Sequence, residues 1–476
     1  MPRKCCLKLL AAAGAFGFMT VAATLAQQRD KCTSVIVNKD LTADGSVILG
    51  HNEDLSNYSA HHYFHTPRAT HDAGEVVTTF YGAKVPQVPL TYAYTGTTLF
   101  DISYSPGAVT SGVNEYQVAV VNNASYRRDA PSPLPSEGRL IWTEFTKFAL
   151  ERAKTAEEAV DVIGALASTY KLGADSGSMF GVTDTKEGWW VEVTLDGQWI
   201  AERTQSGSAT VRANIFRIGE IKDAKNFKYS DDLISYAVAK GWYDPKDTFN
   251  FTTVYAEPTK VDSQYNLRRE NRVKDLLQAS VAAKTVAPQL IMSIWRDHYE
   301  GTKYDLTDGH RLGSPHQTEE RTLCRMDTEV STVIQSRAQI KGQDVPADIG
   351  AICWRAMATP CSSIYTPWYL GSLEVPKEYQ TGDSQFTKKS AYWTARNLSK
   401  SLDMRYRDAV IDEVKSVQNK FEDQEFASQD AIEKKALELY TKDPDAARTY
   451  LTKYTSKMAK KAMGKLNGLY KYAERH

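Results

Sequence analysis

The sequence predicts a layered α+β protein, and three observations carry that reading. Short β-branched runs separated by turn residues open the chain, helical patterns follow them in pairs, and residues 386–476 are rich in Lys, Glu, Ala and Leu. With 42% hydrophobic and 24% charged residues, the composition is that of an ordinary globular chain with enough apolar mass for a large core. No internal repeat and no low-complexity tract divides it.

Taken in order, the elements begin with a leader. Arg3, Lys4 and Lys8 form a basic start, Leu9 to Ala26 is apolar and rich in small residues, and Thr24-Leu25-Ala26 offers a cleavage site. Residues 1–26 therefore read as a signal peptide, and the mature chain is expected in a bacterial periplasm or outside the cell. The apolar run is short for a membrane span and no stop-transfer flank follows, so no stable membrane anchor is expected once the signal is removed. Arg29, Asp30 and Lys31 precede Cys32, where a lipidated cysteine needs small apolar residues, so 27–31 reads as a short pro-segment.

After Cys32, residues 33–38 and 45–50 are β-branched and apolar, with Asn38, Lys39, Asp40, Asp44 and Gly45 marking a turn. They read as an antiparallel hairpin. Folding the chain about residue 42 sets Cys32 roughly opposite Asn52, so Gly50-His51-Asn52-Glu53-Asp54 ends beside the thiol. Strict alternation puts Asn52 and Asp54 on one face and turns Glu53 elsewhere. Further strands are expected at 117–121, 178–183, 189–195 and 198–203. Between them, Leu140, Phe145, Phe148 and Ala149 mark a helical face over 139–152, and Thr155-Ala-Glu-Glu starts a second helix with a capping-box pattern. Residues 215–320 are mixed and mostly helical. The main domain spans 32–385, and 386–476 form a helical extension packed on it or continuous with it, its charges read as a solvated face.

Removal of residues 1–31 leaves 53 basic against 57 acidic side chains, a net charge of about −4, which argues against nucleic acid as a partner. Four cysteines remain: Cys32, Cys324, Cys353 and Cys361. That is no disulfide scaffold, and a Cys353–Cys361 pair or two buried free thiols both fit. His61, His62, His65 and His71 cluster in sequence, but flanking aromatics, Pro67 and Gly74 suggest extended structure, and no Cys or paired carboxylate completes a shell. No metal is expected there. Asp175-Ser176-Gly-Ser178 lacks the Lys and following helix of a phosphate cradle, and Trp189 and Trp190 read as core and sheet-edge aromatics.

Cys32 carries the chemistry. A free thiol titrates near pH 8.5 and an α-amine near 7.7–8, so a cysteine at a chain's first position can hand its thiol proton to its own amine, directly or through water. In the precursor that amine is tied up in the Lys31–Cys32 peptide bond. Removing residues 27–31 would therefore activate the chain as well as mature it.

The run Cys32-Thr-Ser-Val-Ile-Val through Asp44-Gly-Ser to Asn52-Glu-Asp resembles the start of the C69 dipeptidases, a branch of the N-terminal-nucleophile hydrolases that includes the secernins. Gly112-Val-Asn-Glu, Leu150-Glu-Arg-Ala-Lys-Thr-Ala-Glu-Glu-Ala, Lys186-Glu-Gly-Trp-Trp-Val-Glu, Ala213-Asn-Ile-Phe-Arg-Ile and Arg268-Arg269-x-x-Arg272 resemble that family in the same order, from Cys32 to about Leu370. The resemblance implies a four-layer αββα sandwich, a catalytic cysteine exposed by autoproteolysis or by another protease, and hydrolysis of dipeptides or related small amides without a cofactor.

It also implies roles. Asn214 is the leading oxyanion donor, since the more distantly related choloylglycine hydrolases place an active-site Asn there; Asn122 or Asn123, at a strand end, is a second. Asp54 would hold an ammonium, and Asn52 precedes it in the shared Asn-x-Asp. Arg269 would support the site or a substrate carboxylate, with Arg268 and Arg272 competing for that part. His51 stands where relatives carry Arg, and Thr204-Gln-Ser-Gly-Ser stands where they tend to have Val-Pro-Asp-Asp, a loop expected to reshape the pocket. An N-acyl amidase on the same thiol, and a non-catalytic secernin-like or periplasmic binding protein, are the other readings. A homo-oligomer stays open.

Overall fold

The computed structural model describes residues 32–55, 60–99, 108–128, 133–173, 177–305, 307, 314–316, 321–404 and 410–475. The expected signal peptide and pro-segment, with Asp175 and Ser176, lie outside them.

The run after Cys32 forms β1 (Thr33–Val37), which pairs antiparallel with β2 (Val47–Asp54) in a register that sets Thr33 opposite Asn52 and Ser34 opposite His51. Continued by one step, this register puts Cys32 level with Glu53. The expected register was one residue off, and because strand side chains alternate with period two, that slip exchanges the two faces of β2 around the thiol.

The chain continues through β3 (His61–Thr66), β4 (Tyr94–Leu99), β5 (Ser111–Asn114), β6 (Ala119–Ala124), α1 (Trp142–Arg152) and α2 (Ala156–Tyr170). Next come β7 (Gly177–Thr183), β8 (Gly188–Thr194), β9 (Trp199–Arg203), β10 (Ala209–Arg212), β11 (Phe227–Tyr229), α3 (Gln264–Ala283) and α4 (Pro288–Trp295). The last elements are β12 (Thr328–Ser336), β13 (Ile352–Met357), β14 (Thr366–Tyr369), α5 (Ala391–Met404), α6 (Val410–Tyr440) and α7 (Pro444–Ala473). A six-stranded sheet has the order β10-β1-β2-β12-β13-β14, and an eight-stranded sheet the order β11-β9-β8-β7-β6-β5-β4-β3.

Three apolar clusters fix the layers. Ile36, Leu49, Val121, Trp190 and Ile200 pack between the two sheets. On the outer face of the eight-stranded sheet, Val120, Phe180 and Val191 pack against Phe145 and Phe148 of α1 and Val160 of α2. Val35, Ile48 and Val333 on the outer face of the other sheet pack against Val273 of α3 and Ile291 and Trp295 of α4. The result is the αββα sandwich. Thr155 caps α2 as its sequence requires, its hydroxyl accepting from Glu158 N at 3.1 Å.

Strands β12 to β14 arise where the sequence suggested none. Every residue of β12 is buried, so it lacks the alternation that marks a half-exposed strand. Trp189 and Trp190 are core residues on β8, an interior strand rather than an edge. The charged C-terminal segment also has a buried face. Phe426 of α6 stacks on Trp354 at 4.2 Å between ring centroids, Glu422 and Glu433 pair with Arg296 and Arg337, and Leu451, Ala459 and Ala462 of α7 are buried. No helix among the described residues is long and apolar enough to cross a membrane.

Candidate active site

The register of the hairpin decides which side chains meet the thiol. Cys32, Ser34 and Ile36 share the face of β1 that looks into the sandwich, and Leu49, His51 and Glu53 share the matching face of β2. Cys32 Sγ lies 3.9 Å from Glu53 Oε1 and 4.0 Å from the Asp54 carbonyl oxygen, and the residue is 1% exposed. Glu53 Oε2 lies 2.9 Å from His51 Nε2, and His51 Nδ1 lies 2.7 Å from Ser34 Oγ. Ser34 donates its hydroxyl to Asn123 Oδ1 at 2.5 Å.

Counting hydrogens along this line assigns the tautomer. Asn123 Nδ2 donates to Arg212 O at 3.1 Å and Ala213 O at 2.9 Å, so its oxygen must face Ser34. Ser34 spends its only hydrogen on that oxygen and accepts from His51 Nδ1, which therefore carries a hydrogen. One further proton lies between His51 Nε2 and Glu53 Oε2. It makes either an imidazolium–carboxylate pair or a neutral imidazole with a carboxylic acid, and both place a store of one proton beside Cys32.

The main chain of Cys32 is held from the opposite side. Arg269, on α3 and wholly buried, donates through Nη1 to Cys32 O and Thr33 Oγ1, both at 2.8 Å. Through Nη2 it donates to Asn214 Oδ1 at 2.8 Å and Asn266 Oδ1 at 2.9 Å. One guanidinium thus ties the nucleophile's carbonyl to Asn214, as its planar fork permits and an ammonium would not. The same bond orients Asn214 with its oxygen toward Arg269 and its amide nitrogen away. That nitrogen donates to Ala124 O at 3.0 Å and has a second hydrogen to offer.

Asp54 belongs to a charged group at the end of β2. Its Oδ1 accepts from Thr328 Oγ1 at 2.6 Å, and Asp327, Arg321 and Arg325 surround it. Burial, with the Asp327 charge adding, raises its carboxyl to about 6 against the opposing effect of the two arginines and Thr328. Burial, then the Arg269 and Arg325 charges, lower Arg321 to about 9. The β2–β12 register shifts between Thr328 and Val330, a bulge that interrupts the ladder beside this group.

Several expected placements change. Asn52 and Asp54 do share a face, but it is the face toward α4, not the face of the thiol: Asn52 Nδ2 donates to Trp295 O at 3.2 Å and Leu323 O at 2.9 Å. Glu53, expected to point elsewhere, is the carboxylate at the sulfur. Asn122 and Asn123 diverge by strand alternation. Asn123 faces Ser34, its amide donating to two backbone carbonyls, and Asn122 lies level with Phe180, donating to Thr110 O at 2.7 Å. Asn123 thereby spends both of its amide hydrogens. Arg272 pairs with Asp297 and Arg268 lies over the Tyr304 ring, while Arg269 reaches Cys32. The Thr204 loop lies at the far end of β1, where Thr204 and Ser206 bond Asn38 and Asp40, so it does not shape the surroundings of the thiol.

Sequence reasoning missed Ser34, Glu53 and Asn266. Period-two counting from the correct register would have found the first two. Cys32, His51 and Glu53 also bring one ligand atom each within 4.8 Å of one another, although their hydrogen bonds already account for that approach. The histidines at 61, 62, 65 and 71 disperse: His61 neighbours Glu329, His62 meets Gly382 O, and His71 meets Glu75. All four described cysteines are free thiols, so Cys353 and Cys361 are unpaired with each other.

The model of Peptidase family C69 matches residues 31–420. A probable dipeptidase B from Streptococcus pyogenes serotype M1 is 24% identical over 470 residues, covering 92% of this chain and 91% of its own. A probable dipeptidase from Salmonella dublin is 27% identical over 381 residues, covering 74% and 83%. Among solved structures, penicillin V acylase from Agrobacterium tumefaciens aligns with TM-score 0.37 and 15% identity over 74% of this chain and 89% of its own. A mutant conjugated bile acid hydrolase from Clostridium perfringens aligns with TM-score 0.33 and 12% identity over 75% and 97%.

Proposed function

Because this chain belongs to peptidase family C69, we propose that it is an exported cysteine dipeptidase whose nucleophile is Cys32, made the first residue of the mature chain by cleavage after Lys31. The observation that carries the reading is the Arg269 guanidinium, which joins the carbonyl of Cys32 to the side chain of Asn214 in one buried set of hydrogen bonds. The relatives named as probable dipeptidases support the substrate class.

In the proposed reaction the freed α-amine accepts the thiol proton, and the thiolate attacks the dipeptide carbonyl. The second hydrogen of Asn214 Nδ2 meets the developing oxyanion, and the new ammonium returns its proton to the departing amine. Water, deprotonated by the same amine, then attacks the thioester carbonyl. The C–S bond breaks, the carboxylate leaves, and the thiol is restored. Autoproteolysis needs a different base, because the amine is still in the peptide bond: Glu53, 3.9 Å from the sulfur, takes the thiol proton, Cys32 attacks the Lys31 carbonyl, the C–N bond breaks as the amine is protonated, and water hydrolyses the resulting thioester.

N-terminal mass analysis of the secreted protein beside a Cys32→Ala variant tests this. The expected wild-type chain starts at Cys32 and cleaves dipeptides faster than N-acyl amino acids; the variant retains residues 27–31 and turns over neither. A mature wild-type chain that starts stably at Gln27 overturns the mechanism, and preference for N-acyl amides overturns the substrate.

A further inference from the structure

At one end of the six-stranded sheet, beneath α5 and α6, four buried side chains meet that the proposed reaction does not use. His298 follows α4, His316 and Cys324 lie on the chain leading to β12, and Cys361 sits in the 3-10 turn Pro360–Ser362 after β13. His298 Nε2 lies 3.0 Å from His316 Nε2, and Cys361 Sγ and Cys324 Sγ lie 3.5 and 3.7 Å from that same His316 nitrogen. All four donor atoms fall within 4.8 Å of one another.

The outer nitrogen of each imidazole is already committed. His298 Nδ1 lies 3.0 Å from Glu300 Oε1, and His316 Nδ1 lies 3.0 Å from Asp403 Oδ1. A carboxylate at Nδ1 calls for a hydrogen there, so without an ion the two Nε2 atoms meet either as opposed lone pairs or with a proton between them. A proton shared between the two nitrogens would relieve that pair alone. His316 Nε2 has one lone pair or one hydrogen, yet it faces three partners, two of them sulfurs.

A tetrahedral cation satisfies all of them at once. Metal–nitrogen bonds of about 2.0 Å and metal–sulfur bonds of about 2.3 Å set the donor atoms roughly 3.3 to 3.8 Å apart, close to the spacing seen. Two thiolates balance a dication, and a carboxylate behind each histidine is the usual support for a metal-bound imidazole. The S2N2 donor set selects zinc over the oxygen-seeking cations. Cys361, His316 and Asp403 also align like a nucleophile, base and orienting acid, but His298 Nε2 occupies the place a substrate atom would need.

We propose that His298, His316, Cys324 and Cys361 bind one zinc ion in a closed structural site. Its effect reaches the candidate active site through the backbone. Cys324 N donates to Asp297 O at 3.0 Å, and Leu323 O accepts from Asn52, so the ion pins the segment that carries Arg321, Arg325 and Asp327 to the end of β2.

The test is elemental analysis of the full mature protein purified without chelator, with cobalt(II) exchanged for the native ion as a second measurement. One zinc per chain, and a thiolate-to-cobalt charge-transfer band with tetrahedral intensity, are expected. Cys361→Ser should lower zinc content at least about tenfold. Because that variant risks misfolding, Glu300→Gln provides the milder arm: it keeps all four ligands and should release zinc to a competing chelator at roughly 10- to 100-fold lower chelator concentration. Folded wild type that takes up no zinc, a Cys324–Cys361 disulfide in the purified protein, or a Glu300→Gln variant with unchanged zinc retention each overturns the proposal.

Discussion

Asp54→Asn should make the protein more stable, by an amount that depends on pH in a defined direction. The carboxylate is 1% exposed, and its Oδ2 has no hydrogen-bond donor among the described residues. Burial and Asp327 together raise its pKa from 3.8 to about 6. The unfolded chain therefore releases this proton near pH 4 and the folded chain near pH 6. Between these values the folded state binds more protons than the unfolded one, so wild-type stability falls as pH rises, and the cost is complete above the folded pKa. Two units correspond to about 3 kcal/mol. Asparagine keeps the shape and can still accept from Thr328, but it never ionises. Urea unfolding across a pH series should show the variant more stable by about 3 kcal/mol near pH 8 and indistinguishable near pH 3, where aspartate is protonated in both states. A difference that does not change with pH, or a variant less stable at high pH, refutes the account of Asp54.

Two further substitutions probe the same hairpin. Glu53→Gln preserves volume but removes the carboxylate that shares a proton with His51; kcat should fall by roughly 10²-fold with KM little changed, whereas an unaltered kcat would mean that the pair only packs. Gly50→Ala would bring a Cβ to 2.7 Å from Ile291 Cγ2 and 3.0 Å from the Trp295 ring. Overpacking β2 against α4 should cost about 1–3 kcal/mol in thermal or urea unfolding, and a wild-type midpoint would contradict this packing.

Local signals were legible where chemistry is local. The β-branched runs flanking Asn38 and Gly45 specified a hairpin, Thr155-Ala-Glu-Glu specified a helix start, and its place at the mouth of the first strand was enough to mark out Cys32. Fully buried strands such as β12 left no alternation to read, because both faces are covered and its polar residues find partners, Glu329 in Arg396, Ser331 in Asn52 and Gln335 in Asp44. The register of β1 and β2 lay beyond reach for another reason. Turn composition locates a hairpin only to within a residue, and one residue decides whether Asn52 or Glu53 stands at the sulfur.

By itself the sequence determined the elements near its N-terminus and singled out Cys32, Asp54, Asn214 and Arg269 as candidates. Only the tertiary structure decided how they meet. Arg269 reaches Cys32 across 237 positions, and Asn123 reaches Ser34 across 89. His298, His316, Cys324 and Cys361 come together from separate loops that share no local pattern. Spacing along a chain encodes which face of a helix or strand a residue occupies, but contacts between distant segments depend on how whole layers pack, and that packing is set by the apolar faces of both sheets together.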